Sequence, residues 1–163
     1  MDSIIRSYKP IYFGIKELVC KYIFDKRGEK AISLLDARIL FSVDTLRAFL
    51  TELTPNEPGK GALTINDWQW GGKYDGRGLR VPNDNDYSDT SQHAHGTAID
   101  AVSKHYTAEE LRAFILDNRE RFPYVTCLEG GVSWLHMDCR NLPESAPEGA
   151  IMIVYPNGKF EYK

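Results

Sequence analysis

Two histidines and one aspartate have the residue types and spacing of a zinc site. His93 is followed seven residues later by Asp100, and His136 lies farther along, in the segment Trp134-Leu135-His136-Met137-Asp138. Zinc prefers imidazole and carboxylate ligands, and catalytic zinc sites use three protein ligands with the fourth position left for water or substrate. If the three side chains converge, the chain is predicted to be a metal-dependent hydrolase.

The expected strands place these side chains on usable faces. His93 precedes a central strand predicted over residues 97–102, and Gly96 gives the backbone freedom to turn where the loop enters that strand. On a later strand His136 and Asp138 share one face, because side chains alternate along a strand. We therefore expect Asp138 to orient the ligand histidine by accepting a hydrogen bond from it, rather than to bind the ion.

An α+β fold is predicted, with a small and mainly antiparallel sheet flanked by helices. Helices are expected from about 14 to 25, over 35–53, and after Thr107, which forms a capping box with Glu110. Strands are expected over residues 62–66, 97–102, 124–129, 132–139, 151–155 and 159–162. The last two strands flank Asn157-Gly158, a pair typical of a type I′ turn. The long stretch 71–90 is predicted to be irregular.

The length, charge and apolar runs of the chain limit the kinds of protein that it can be. A length of 163 residues suits a single domain over 1–163, and a net charge of −3 gives no support for a nucleic-acid or anionic-membrane partner. No apolar run approaches the roughly 18 residues of a membrane span. Residues 1–9 lack an apolar core of signal-peptide length, so synthesis in the cytoplasm is expected. The three cysteines, Cys20, Cys127 and Cys139, are expected to be small buried residues.

The metal-site residues resemble the motifs of a known family. The pattern S-x-H-x-x-G-x-A-x-D is matched at every fixed position by Ser91, His93, Gly96, Ala98 and Asp100, and the segment 134–138 resembles a downstream W-x-H-x-D element. The family comprises the zinc D-Ala-D-Ala carboxypeptidases and L-alanoyl-D-glutamate endopeptidases, many of them phage-encoded. Its fold is shared with the hedgehog signalling domain. Weaker likeness extends to residues 12–18 and 76–80.

The resemblance implies an activity and a partner. His93, Asp100 and His136 would hold Zn²⁺, and the reaction would be hydrolysis of a peptide bond in bacterial peptidoglycan stem peptides. Arg80 would pair with a substrate carboxylate, the alternative being a solvated loop arginine. Ser91 would help to shape the site, the alternative being a hydroxyl that bonds nearby backbone in a turn. A phage lysin or virion-associated enzyme, acting at the cell wall, would fit these features.

The chain departs from the family at the general base. The family usually carries Glu or Asp three residues before the last ligand histidine, where this chain has Ser133. A serine cannot take a proton from water as a carboxylate does. Glu129 is the best substitute, but a tight turn at Gly130-Gly131 would leave it roughly 13 Å from His136, at ~3.3 Å per residue. A wider loop over residues 130–133 would bring it closer.

Two other interpretations remain open. In one, the chain is a zinc-binding module without catalysis, used structurally or for partner binding, and Ser133 favours it. In the other, the three candidate ligands are ordinary polar residues that bind no metal. His95 is predicted to be a loop residue, the alternative being a side chain that assists in the site two residues from His93, and His105 is predicted to be a surface residue.

Overall fold

The computed structural model describes residues 5–163. The signal-peptide expectation rests partly on residues 1–4, which lie outside the described residues. The α-helices are α1 (Ile15–Leu18), α2 (Lys21–Arg27), α3 (Ala37–Leu53) and α4 (Ala108–Asp117), and short 3₁₀ turns cover Gly28–Leu34, Trp68–Trp70 and Arg119–Arg121. The strands are β1 (Ala98–Ala101), β2 (Cys127–Glu129), β3 (Leu135–Asp138), β4 (Met152–Val154) and β5 (Phe160–Tyr162). Within the described residues, no helix is long and apolar enough to cross a membrane.

The five strands form one open sheet in the order β1-β3-β2-β4-β5. All neighbouring pairs are antiparallel except β2 and β4, which are parallel. Helix α3 packs against β1, and α4 packs against β3. One face of the sheet sends Ile99, Leu128 and Met137 into the hydrophobic core. The prediction of an α+β fold with a mainly antiparallel sheet is therefore confirmed.

The two long helices agree with the sequence pattern. Helix α3 begins after Asp36, whose carboxylate accepts a hydrogen bond from the backbone N–H of Arg38. The capping box predicted for α4 is present, because Thr107 and Glu110 exchange side-chain and backbone hydrogen bonds. Helix α4 ends at Asp117, ahead of the predicted stop at Pro123.

The first predicted helix is wrong as a continuous element. The chain leaves helical geometry at Val19, which is extended at φ −128° and ψ 157°. Val19 bridges Leu79, and its carbonyl accepts a hydrogen bond from the indole N–H of Trp68 over 3.0 Å. These contacts with distant segments replace the helical hydrogen bonds, so residues 14–25 split into α1 and α2.

Two strand predictions also need correction. Strand β1 lies at the edge of the sheet, not in its centre, because α4 carries the chain to the far side of β3 before β2 begins. The predicted strand over 62–66 is reduced to a bridge in which Thr64 and Val102 exchange backbone hydrogen bonds. Together with Arg77, whose carbonyl accepts from the backbone N–H of Asp100, this bridge covers the outer edge of β1.

The final hairpin is present, but its turn is not type I′. That turn needs positive φ at both central residues, and Gly158 has φ +79° while Asn157 does not share the positive region. Tyr155 pairs with Lys159 across a three-residue loop, the geometry that follows when one glycine takes the left-handed position. The register of β4 and β5 is therefore set by three loop residues.

The stretch 71–90 is irregular, as predicted. Between this stretch and β1 lies Gly96, a position where a side chain would not fit. Gly96 has φ +68°, and a Cβ there would lie 2.1 Å from the carbonyl oxygen of Leu34. The carbonyl of Gly96 itself accepts a hydrogen bond from the backbone N–H of Asp36, the residue just before α3. Gly96 thus lets the loop that carries His93 lie directly against the start of α3.

Candidate metal centre

Asp100 and His136 are brought together by strand register. The two residues are direct cross-strand partners on β1 and β3, so their side chains leave the same face of the sheet. His93 reaches them from the loop before β1. His93 Nε2 lies 3.2 Å from Asp100 Oδ1 and 3.3 Å from His136 Nδ1, and His136 Nδ1 lies 2.8 Å from the same Asp100 oxygen. The three predicted ligands converge.

The spacing of these three atoms matches the needs of a small divalent cation. Zinc lies about 2.0–2.1 Å from its ligands, and tetrahedral angles then separate the ligand atoms by about 3.3 Å. The observed separations are 2.8, 3.2 and 3.3 Å. Two imidazoles and one carboxylate are also a donor set that zinc accepts. Among the described residues, this group can bind a metal ion.

Hydrogen bonds outside the triangle select which nitrogen of each histidine faces inward. His93 Nδ1 lies 2.8 Å from the carbonyl oxygen of Gly78, which can only accept, so Nδ1 carries the proton and Nε2 is left as the ligand atom. His136 Nε2 lies 3.1 Å from Oδ2 of Asp138, which leaves Nδ1 facing Asp100. Such outer carbonyl and carboxylate acceptors commonly fix the orientation of metal-binding histidines.

Charge is concentrated in this buried group. His93, Asp100 and His136 are only 2%, 6% and 5% exposed. Burial disfavours the ionised form of Asp100, but hydrogen bonds from His136 and His93 outweigh burial and lower its pKa. Burial also disfavours charge on His136, whereas hydrogen bonds to Asp100 and Asp138 raise its pKa to about 9. A metal ion must therefore displace the proton on Nδ1 of His136.

Arg80 and Ser91 both lie at this site, in ways that bear on their predicted roles. Arg80 Nη2 donates to Oδ2 of Asp100 over 2.9 Å, and its Nε donates to the carbonyl of Gly76 over 2.6 Å. The alternative of a solvated loop arginine is therefore wrong, and the pairing with a substrate carboxylate stays a prediction. Ser91 Oγ accepts the backbone N–H of His93, which is the turn contact expected from its hydroxyl.

The metal-site residues line a cleft of about 230 Å³ that also contains Glu129. Strands β2 and β3 pair Leu128 with Met137, so the next residue pair in register is Glu129 and His136. Asp100 and His136 are register partners, this extension of the register by one position sets Glu129 beside them, and all three residues line the cleft. Glu129 is half-buried, and of the two carboxylates that line the cleft only that of Asp100 has charged partners among the described contacts.

The wide connection between β2 and β3 is what gives Glu129 this position. Residues 130–134 form the connection, which is longer than the two-residue turn considered from sequence. The buried guanidinium of Arg112 donates to three backbone carbonyls there, those of Glu129, Val132 and Trp134, over 3.0–3.3 Å. Sequence reasoning missed Arg112 because it lies on α4, and only its contacts reveal its role.

Arg140 is a second residue that sequence reasoning missed. It lines the metal cleft, and its Nε donates to both oxygens of Asp138 over 2.9 and 3.0 Å. Its position two residues after Asp138 on the same alternating face was the available signal. The predicted orienting carboxylate thus has two partners, His136 and Arg140.

Of the remaining residues considered from the sequence, Trp134 lines the metal cleft and the others lie outside its lining. Ser133, at the family's usual general-base position, is exposed and lines a different hollow from the metal cleft. His95 and His105 are exposed, as predicted. Trp134 forms part of the cleft wall. The three cysteines are buried and free, also as predicted.

The fold and the site define an α+β protein with a buried His-Asp-His group able to hold a metal ion. Comparison of the chain with protein-family models, with curated proteins and with solved structures finds no match. The case for a function therefore rests on the residues and their geometry.

Proposed function

We propose that the chain is a zinc-dependent peptidase that hydrolyses peptide bonds in peptidoglycan stem peptides, of the D-Ala-D-Ala carboxypeptidase or endopeptidase type, with the hedgehog/DD-peptidase fold. One observation carries the proposal: the three ligand atoms, 2.8–3.3 Å apart, share a cleft with an unpaired carboxylate, that of Glu129. The motif resemblance supplies the substrate class.

In the proposed reaction, the metal ion and Glu129 have different chemical roles. Bound zinc supplies a Lewis acid that acidifies water and polarises a carbonyl group. The carboxylate of Glu129 accepts a proton from the attacking water and returns it to the leaving amine, as general bases do. Glu129 lines the same cleft as the three candidate ligands, which supports a place for the attacking water between the ligand atoms and this carboxylate.

The charge balance of the cleft suits an electrophilic ion. Asp100 and Asp138 contribute two negative charges, and Arg80 and Arg140 bond directly to them with two positive charges. The charge of a divalent ion therefore remains uncompensated by its protein surroundings, apart from Glu129. An uncompensated charge in a buried site polarises a carbonyl more strongly than one in water.

A catalytically silent zinc-binding module is the second candidate, favoured by the exposed Ser133 where the family places its base. In that case zinc would serve structure or partner binding, since structural zinc contributes directly to folding free energy.

The peptidase proposal includes action at the bacterial cell wall, as a phage lysin or virion-associated enzyme would act after synthesis in the cytoplasm.

Digestion of purified peptidoglycan by the zinc-loaded chain, with mass spectrometry of the released fragments, tests the activity and identifies the bond. The Glu129→Gln variant should lose activity by about 100-fold or more while it retains zinc, because general-base catalysis contributes about that much. Glu144→Gln, at an exposed glutamate outside the cleft, is the matched control and should keep full activity. Zinc-loaded wild type that releases no fragment would favour the silent module.

A further inference from the structure

Asp138 is a buried carboxylate whose environment demands a fixed positive partner. Its side chain is 0% exposed. An ionised carboxylate at such a position is stable only when it is paired and hydrogen-bonded. His136 supplies one hydrogen bond, but a histidine that binds a metal ion through its other nitrogen is neutral and does not balance the charge of Asp138. The remaining partner is the guanidinium of Arg140.

The contacts of Arg140 fix the orientation of the Asp138 carboxylate. The backbone N–H of Arg140 donates to Oδ1 over 3.1 Å, its Nε donates to Oδ1 over 2.9 Å, and its Nη2 donates to Oδ2. A planar guanidinium that engages both oxygens leaves a carboxylate one orientation. In that orientation Oδ2 faces His136 Nε2.

The backbone of Arg140 is itself held in place, which makes it a rigid support. The hydroxyl of Thr126 donates to the carbonyl of Arg140 over 2.6 Å, and the backbone N–H of Thr126 donates to the carbonyl of Asp138. Arg140 also separates the metal cleft from a neighbouring groove of about 790 Å³, since its side chain lines both. Without the guanidinium, the carboxylate of Asp138 would keep only two of its described hydrogen bonds, those from His136 and from the backbone N–H of Arg140.

We propose that Arg140 is a positioning residue of the metal centre, which holds Asp138 so that His136 keeps its Nε2 proton and offers Nδ1 to the ion. Its guanidinium donates its described hydrogen bonds to Asp138 and to none of the three candidate ligands. The matching arrangement on the other side of the centre is Arg80, which bonds the outer oxygen of Asp100 and leaves the inner one for the metal. The inference rests on the proposed zinc site and needs no peptidase activity.

Zinc affinity of the full chain, measured by competition with a chromophoric chelator, tests the proposal independently of hydrolysis. The Arg140→Met variant should bind zinc about 10- to 100-fold more weakly, the usual effect of removing an outer partner of a metal-binding histidine. Arg140→Lys should fall between the two, because lysine keeps the charge and loses the fork. Arg119→Met, at an exposed arginine of the same groove, is the matched control and should bind zinc as the wild type does.

Two readouts separate positioning from a general loss of structure. If Arg140 acts through Asp138, the double variant Asp138→Asn/Arg140→Met should bind zinc no more weakly than Asp138→Asn alone. In the zinc-loaded protein, the Nε2 proton of His136 should exchange with solvent faster in Arg140→Met than in wild type, as seen by nitrogen-15 NMR.

The outcomes of this experiment are distinct from those of the peptidoglycan digestion. Wild type and Arg140→Met that bind zinc within twofold of each other would overturn the inference and leave the peptidase proposal intact. Weakened zinc binding in a chain that cuts no peptidoglycan would support the inference and overturn the peptidase proposal. If Arg140→Met does not fold, Arg140→Lys provides the same comparison, and unchanged affinity there would overturn the inference.

Discussion

The metal-binding group predicts that zinc stabilises the folded chain through three specific side chains. A ligand that binds the folded state alone raises the free energy of unfolding by RT ln(1 + [L]/Kd), or about 2.7 kcal/mol at a free concentration 100 times Kd. The converging atoms of His93, Asp100 and His136 do not meet in an unfolded chain, because 43 residues separate the first from the last. Zinc should therefore bind the folded state far more tightly.

The size of the thermal shift follows from the length of the chain. Unfolding entropy is about 2.1 cal/mol/K per residue, so the 163 residues give about 0.34 kcal/mol/K. Dividing about 2.7 kcal/mol by this value predicts that the melting temperature rises by about 8 °C at 100 times Kd. Differential scanning calorimetry of chelator-treated protein, with and without added zinc, measures the shift.

Single substitutions locate the effect at the proposed ligands. Alanine at His93, Asp100 or His136 should remove most of the zinc-dependent shift, because each variant leaves two ligands. His95→Ala is the matched control, since His95 lies in the same loop, is exposed, and should leave the shift near 8 °C. The reasoning is refuted if wild type shows no zinc-dependent shift, or if His93→Ala shows the full one.

Three further predictions concern the elements that position the site. Gly96→Ala should lower the free energy of unfolding in urea by at least about 2 kcal/mol, because φ is positive and a carbonyl oxygen lies 2.1 Å from the new Cβ. Gly149→Ala also has positive φ but open space around it, so it should lower the free energy of unfolding by only about 1 kcal/mol. Equal losses in the two variants would contradict the close-contact argument. The hydrogen bond with Arg38 lowers the pKa of Asp36 in the folded chain despite burial. The ionised Asp36 therefore stabilises the folded state above pH ~4, and this contribution is lost as the pH falls through the lowered pKa of Asp36. Asp36→Asn should thus be about 0.5 kcal/mol less stable at pH 7 and equally stable near pH 2; a gap that persists in acid would argue against the ion pair. Arg112→Met should cost about 3 kcal/mol or more, because it leaves three carbonyls without their donor, and chemical denaturation showing a loss below 1 kcal/mol would exclude the supporting role.

Much of the secondary structure could be predicted from local patterns. Helices α3 and α4 have apolar stripes and caps that lie within their own segments, and β1 follows directly from its short apolar run. Predictions failed where distant contacts prevailed. Val19 leaves helical geometry because its backbone pairs with Leu79 and Trp68, which are about 50–60 residues away and cannot be read from its neighbours.

The sequence determined a candidate ligand set, because zinc chemistry restricts the residue types and strand alternation predicts the faces on which Asp100 and His136 lie. His93, Asp100 and His136 could be named on those grounds. Only the tertiary structure decided the position of Glu129, since that depends on how β2 pairs with β3 and on the carbonyls that Arg112 holds from α4. Register between strands and hydrogen bonds from another element are properties of the whole fold, so no local pattern encodes them.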